Sequence, residues 1–333
     1  MIKSQKWTHW LTRGLAAVLA FGAVAAWSVS DALAAWKPTR PIEFVIMAGK
    51  GGGADRIARL MQKIVTQKKW SPQPLVPINK KGGSGAEAML YLKSKQGNPH
   101  VILVTLNSFF TTPALQKLPV SYKNFTPVYR LAMDTFILWV NKKSGITNVA
   151  QFVKAVKAKK GKWTMGGTGK MQEDQLVTNM LSQAYGLKGL ITYVPFRGGG
   201  TVAKNLAGGH LDSTVNNPAE GLPHTPEKMV PIAALTPKRI PAFPNVPTFA
   251  ELGKPKLVYY MMRSINAPGG IPADATKWYR DLFTKLCNSQ EWKDYTKKKA
   301  LNRACLTGGP LASFFAEEDV KHKKLLKGMG LIK

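Results

Sequence analysis

Backbone amides at glycine turns, with a few cations beside them, are the chemistry this chain offers. The first turn runs Ala48, Gly49, Lys50, Gly51, Gly52 and Gly53. The second holds Lys80, Lys81, Gly82, Gly83 and Ser84; the third holds Gly166, Gly167, Thr168, Gly169 and Lys170; the fourth holds Arg197, Gly198, Gly199 and Gly200. Glycine admits positive φ and lets a backbone approach a ligand closely. A helix starting at such a turn presents unpaired N–H groups and partial positive charge. Together these features hold a carboxylate or a phosphate. One such turn often only closes a loop. Four of them, each after a strand and leading toward a helix, point to a shared cleft. Lys50, Lys170 and Arg197 could add charge there, and the planar fork of Arg197 suits a carboxylate. Asp174 and Asp212 could meet a ligand amine, although carboxylates more often cap helices or pair with lysines.

Other chemistries fit poorly. Gly167-Thr168-Gly169-Lys170 fails as a nucleotide P-loop, because Thr164 stands where the first glycine belongs and Met171 follows the lysine. His100, His210, His224 and His322 lie in no hydrolase or metalloprotease motif. An envelope hydrolase is therefore the weaker alternative, and no cofactor or metal is expected. Cys287 and Cys305 do not match zinc spacing. They could form a disulfide in an oxidising compartment, or pack as two small apolar groups; spacing does not decide.

The elements that must carry these turns alternate. Residues 42–47 read as a strand, followed by a helix with Ile57, Leu60, Met61, Ile64 and Val65 on one face. Residues 75–78 and 101–105 are further strands, and Ser84 with Glu87 fits a capping box at the start of the helix between them. A second series follows: an extended run at 136–140, a helix opening at Thr147, strands at 163–165, 191–194, 212–215 and 229–235, and a return strand at 259–265. Three helices near 273–286, 290–298 and 311–327 complete the chain. This is the pattern of two parallel-sheet α/β units.

Residues 1–13 carry Lys3, Lys6 and Arg13 without an acid, residues 14–30 are apolar, and Ala32-Leu33-Ala34 is a small-x-small cleavage pattern. This is the layout of a signal peptide over residues 1–34. The remainder suits two domains, expected as 35–135 with 262–333, and 136–261. Lys and Arg number 48 against 18 Asp and Glu, a formal net charge of +30. Export removes nucleic acid as a partner, and the lysines are dispersed, so most read as a solvated basic surface, the alternative being a field that draws in anions.

Several segments resemble the tripartite tricarboxylate transporter binding proteins, the Bug family. The first is Ile46 through Asp55 followed by Ala58-Arg59-Leu60, and the second is Asn79 through Gly85. The third is Val194 through Gly200 with Gly208-Gly209-His210-Leu211-Asp212, and the fourth is Pro244 through Gly253. Lys50 and Lys81 replace prolines usual in the family, and Gly169-Lys170-Met171-Gln172-Glu173-Asp174 replaces a Gly-Ser-x-x-His segment. The resemblance implies a type II-like periplasmic-binding-protein fold, two α/β domains joined by two crossing strands around a cleft. It implies a periplasmic monomer that binds a small organic mono-, di- or tricarboxylate and hands it to transporter membrane subunits; a sensor docking on a receptor is the alternative. It places the carboxylate on residues Ala48 to Gly53 and Lys80 to Ser84, joined by Asn107, Ser108 and Phe109. The distal set is Thr168, Gly169, Lys170, Arg197, Gly198, Gly199, Asn216 and Asn217.

Overall fold

In the computed structural model the chain builds two mixed sheets. The structure describes residues 35–333, so the expected signal peptide lies outside the described residues; both sheets belong to the unit Lys37–Lys333. The first sheet has six strands in the order β11-β4-β10-β3-β1-β2. They are β1 (Ile42–Ile46), β2 (Leu75–Asn79), β3 (Val101–Thr105), β4 (Phe125–Thr135), β10 (Tyr260–Pro268) and β11 (Asn302–Thr307). β1 pairs in parallel with β2 and β3, whereas β10 and β11 run antiparallel to their partners. The second sheet has the order β7-β6-β8-β5-β9. Its strands are β5 (Ile137–Asn141), β6 (Trp163–Thr168), β7 (Ile191–Phe196), β8 (Ser213–Asn216) and β9 (Met229–Ala234).

Each parallel pair is joined by a helix, as a crossover connection requires. In the first lobe these are α1 (Gly53–Gln67) and α2 (Ala86–Ser94), and α3 (Ser108–Gln116) follows β3. α1 buries Ala54, Ile57, Ala58, Met61, Ile64 and Val65 against the sheet, the expected face with Leu60 at its margin. In the second sheet α5 (Glu173–Ala184) and α6 (Gly199–Ala207) do the same work, while α4 (Val149–Ala158) links β5 to β6 and the single turn α7 (Pro218–Gly221) follows β8. The chain ends in α8 (Ala273–Asn288), α9 (Gln290–Lys298) and α10 (Gly308–Gly328), which pack on β4 and β11 of the first sheet.

Local signals are satisfied differently at two helix starts. Ser84 does not cap α2. It sits at positive φ in a short 3-10 turn, and Gly85 in the left-handed region occupies the cap position. Glu87 turns its carboxylate back to the Gly82 N–H instead (2.9 Å). Thr147 likewise yields the cap of α4 to Asn148, whose side chain accepts from Gln151 N–H at 2.9 Å.

The chain leaves the first sheet at Thr135 and enters the second at Ile137, with only Phe136 between. It returns through Tyr259. Phe136 and Tyr259 are fully buried ring partners, 5.7 Å apart, so the two crossings meet in one apolar contact. The Tyr259 hydroxyl lies 3.0 Å from His322 Nε2 on α10, and His322 Nδ1 lies 2.7 Å from the Glu318 carbonyl. His322 is thus a packing residue that ties the last helix to the crossing.

Cys287 on α8 and Cys305 on β11 form a disulfide, with Cα atoms 6.3 Å apart. It closes a sequence separation of 18 residues and fixes edge strand β11 to the helix beneath it. Loops of that size give about 3 kcal/mol of stabilisation. The Cys287→Ala/Cys305→Ala variant should lose about that much in urea titration. An unchanged midpoint would mean that the hydrogen bonds of β11 to β4 hold the edge unaided.

Candidate functional site

The first two glycine turns are welded to one another. The buried Asp55 carboxylate accepts from Gly51 N–H (2.9 Å), Asn79 Nδ2 (3.0 Å) and Arg59 Nε (3.0 Å). Asn79 Nδ2 also donates to the Ala48 carbonyl at 3.0 Å. Burial alone would raise the Asp55 pKa, yet the bonds from Arg59, Gly51 and Asn79 hold it below the ordinary carboxylate value. The turns therefore form one rigid rim at the ends of β1 and β2.

The turns of the second lobe close against this rim. A Cβ on Gly49 would lie 2.5 Å from the Arg197 carbonyl oxygen, so only glycine permits this approach. Ser84 Oγ donates to the Lys170 carbonyl (2.8 Å). Arg56 on α1 pairs with Glu220 on α7 at 3.1 Å. The Ser108 N–H, at the start of α3, donates to the Glu173 carboxylate at the start of α5.

Between these contacts lie two neighbouring cavities. The outer one, about 260 Å³, is lined by Met47, Ala48, Gly49, Lys81, Gly82, Ser84, Leu106, Thr168, Gly169, Gln172, Phe196 and Arg197. The inner one, about 40 Å³, shares the Ala48, Gly49, Leu106 and Thr168 walls. Its remaining wall carries Glu173, Asp174, Glu220 and Arg263, with Gly52, Gly53, Gly198, Gly199 and Asn217. Arg263 on β10 is committed to Asp134 on β4: its Nε donates to Oδ2 at 3.1 Å, and Nη2 donates to the same oxygen. Both side chains are buried. Burial works against the Arg263 charge, but Asp134, Glu220 and Glu173 together hold its pKa above the ordinary value.

The acids of the inner wall sit on backbone N–H groups. Asp174 Oδ2 accepts from Thr168 N–H at 2.7 Å, and Glu173 from Ser108 N–H. Glu173 and Asp174 occupy the first turn of α5, where the helix dipole favours negative charge. Burial nevertheless pushes Glu173 and Glu220 up. Asp174 is raised to about 8, first by burial and then by Glu173 and Glu220, against the Thr168 hydrogen bond. The folded chain therefore keeps a proton on Asp174 that the unfolded chain releases near pH 4. A raised folded pKa means stability is intact below about pH 4 and is lost as the pH rises towards about 8. Asp174→Asn keeps an acceptor for Thr168 but has no such titration. It should gain on the native protein as the pH rises, on the order of a few kcal/mol by pH 8, read from urea midpoints at pH 5 and pH 8. A difference that does not change with pH would contradict this.

Most residues expected in the cleft are brought together, but several serve the framework. Ala48, Gly49, Gly52, Gly53, Gly82, Ser84, Thr168, Gly169, Arg197, Gly198, Gly199 and Asn217 line the two cavities. Lys50 is exposed and lines neither. The Lys80 ammonium turns to Glu87 (3.4 Å) and to the Tyr91 ring, while its neighbour Lys81 faces the outer cavity. Lys170 lines a separate hollow with Gly83, Ser84, Thr112 and Leu331. Asn107 is consumed by β10, donating to the Tyr260 carbonyl (2.7 Å) and accepting from Met262 N–H (2.9 Å). Phe109 is a core residue among Phe110, Phe125 and Phe315. Asn216 donates to the Gly199 carbonyl (2.9 Å) and braces the fourth turn. Asp212 pairs with Lys159 and accepts from Thr164 N–H (2.8 Å), so it locks β6 to β8. Sequence reasoning misses Glu173, Glu220 and Arg263 as cleft residues. The one signal it holds is Glu173 and Asp174 standing where the resembled family carries Gly-Ser-x-x-His.

Residues 57–331 match the profile of the tripartite tricarboxylate transporter family receptors, TctC. The chain belongs to this family. TctC proteins are binding receptors and not enzymes. The chain is 27% identical over 329 residues to the "UPF0065 protein in gbd 5'region" of Cupriavidus necator, covering 98% of each. The periplasmic binding protein BugD is similar in structure, with a TM-score of 0.79 at 20% identity over 89% of this chain and 99% of BugD. R. palustris Rpa4515, solved with adipate, gives a TM-score of 0.79 at 23% identity over 88% of this chain and 98% of that one. These likenesses establish the type II periplasmic-binding-protein fold for this TctC-family chain.

Proposed function

We propose that this TctC-family receptor works in the periplasm, where it captures a small organic carboxylate between its lobes and delivers it to the membrane subunits of a tripartite transporter. The observation that carries this reading is the seam itself. Glycine turns from both sheets meet around a cavity of about 260 Å³, with Lys81 and Arg197 on its wall. In this reading residues 35–135 and 262–333 form the lobe that first receives the carboxylate, and residues 136–261 form the lobe that closes over it. Phe136 and Tyr259 mark the two crossings at which the lobes hinge. Closure completes the surface that the membrane subunits recognise. The adipate complex of Rpa4515 supports a carboxylate of this size.

A thermal-shift panel of mono-, di- and tricarboxylates on the mature protein tests this. At least one should raise the melting temperature and be recovered chemically unchanged, since a ligand that binds only the folded state stabilises it. Turnover, or a panel with no shift, would reject the receptor reading for carboxylates.

A further inference from the structure

We propose that Ser84 is a latch: its hydroxyl, donated to the Lys170 carbonyl, holds the second and third glycine turns together and sets how much of the protein stands closed before a solute arrives. This rests on the hinged-lobe reading above. It adds a positioning residue that acts on the opposite lobe and not on the solute.

The bond crosses the seam. Ser84 Oγ and the Lys170 carbonyl oxygen lie 2.8 Å apart, between residues 86 positions apart in the chain. Ser84 lines the outer cavity and also the hollow of about 450 Å³ that it shares with Gly83, Lys170, Met171 and Leu331. The contact therefore stands at the boundary between cavity and hollow. Two further contacts cross the seam, Arg56 with Glu220 and Ser108 N–H with Glu173, but both acids belong to the wall of the inner cavity. A serine hydroxyl has a single proton to give. Here it goes to Lys170, and the Ser84 side chain caps neither the 3-10 turn nor α2.

Both sides are arranged to present this pair. Thr112 Oγ on α3 donates to the Ser84 carbonyl (2.8 Å), and Gln116 Nε2 donates to the Gly83 carbonyl (2.8 Å). Across the seam the Tyr193 hydroxyl donates to the Gly169 carbonyl (3.0 Å), and Met171 N–H donates to Gln175 Oε1 (2.6 Å). Each side thus fixes the flanking backbone with its own groups, and the Ser84 hydroxyl meets the Lys170 carbonyl between them. Backbone strain collects at the same spot. Six non-glycine residues have positive φ among the described residues, and two of them flank this one bond, Ser84 at 57° and Met171 at 59°. Such conformations persist where the surroundings over-determine them. Glycine would hold the backbone at position 84 without that cost. What serine adds there is the hydroxyl.

Pulsed electron-electron distance measurements on the mature protein, with no solute added, test this. One spin label goes on Lys63→Cys and the other on Lys157→Cys, exposed positions of α1 and α4, with the disulfide left oxidised. We expect two distances, the shorter one dominant. Ser84→Ala and Ser84→Gly should each lower the ratio of short to long about fivefold, the effect of one net hydrogen bond. Ser84→Asn tolerates the left-handed backbone and supplies an N–H donor, so it should recover the ratio to within about twofold. Ser84→Gly also separates a latch from a brace. It relieves the strained backbone, so it should keep the native melting temperature while losing closed population. A native ratio in Ser84→Gly would overturn the latch. So would the absence of recovery in Ser84→Asn, or a single distance in the native protein. No solute enters this measurement, so the carboxylate reading stands or falls separately, on its own thermal-shift panel.

Discussion

Gly49→Val should abolish high-affinity capture while the protein stays folded. The substitution puts a Cβ 2.5 Å from the Arg197 carbonyl oxygen, a backbone atom that cannot swing aside. In the proposed hinge motion, relief comes from parting the two lobes. Each lobe keeps its own sheet and core when that happens, so the thermal transition should move little. The closed form becomes scarce, and apparent affinity falls in proportion to its population. We expect a loss on the order of 100-fold in calorimetry with whichever solute the panel selects. Affinity within about threefold of the native protein would show that the turns need not meet for binding.

Arg263→Ala should be the most destabilising single change in the cleft. Arg263 and Asp134 lie on neighbouring strands of the first sheet, 2% and 1% exposed, joined by two hydrogen bonds to one oxygen. Removing one partner leaves the other buried without compensation, which costs about 3–5 kcal/mol. The Arg263→Met/Asp134→Asn double variant should recover much of that loss, because an uncharged buried pair avoids the desolvation of two ions. Urea titration of the three proteins checks both statements. If the double variant were no better than the single, the cost would lie in packing at Arg263 and not in an orphaned charge. The measurement should be made near pH 7, well above the ordinary range of a carboxylate, so that the unfolded reference is ionised.

How much of this is legible in the sequence depends on whether the signal is local. Strands β1, β3, β5 and β9 announce themselves as apolar runs, and β6 and β7 as short extended stretches that lead into glycine turns. The C-terminal helices keep a helical period over nine or more residues and are legible for the same reason. Strand β11, Asn302–Thr307, is not. It is a half-exposed edge strand whose Arg303, Cys305 and Thr307 break the apolar pattern, and only pairing with β4 makes it a strand. Helix α3 stands where the sequence suggests a loop, because Thr111, Thr112 and Pro113 are weak helix formers; burial against α10, α2 and Phe125 at the start of β4 overrides them. Most of β4 is hidden too, since Pro127, Arg130 and Asp134 interrupt its apolar run.

The cleft divides along the same line. Glycine turns are visible because backbone geometry demands glycine. The acidic wall is not, because Glu173, Glu220 and Arg263 come from three separate elements of the fold. A carboxylate at the start of a helix looks like an ordinary dipole partner until the facing lobe covers it. The cationic side chains mislead in the opposite direction. Lys50 and Lys170 stand beside glycines in the sequence, yet neither lines the two cavities, whereas Lys81 does. Side-chain direction, which spacing alone does not encode at a turn, makes the difference.

The most direct test of capture between the lobes is hydrogen exchange with and without the carboxylate that gives the largest thermal shift. Amides at residues 48–53, 82–85, 168–170 and 198–200 lie on both sides of the seam. We expect the carboxylate to slow exchange at all four turns together, because it both contacts the rim and holds the lobes closed. Protection of one lobe alone, or protection confined to surfaces away from these turns, would contradict capture in the cleft.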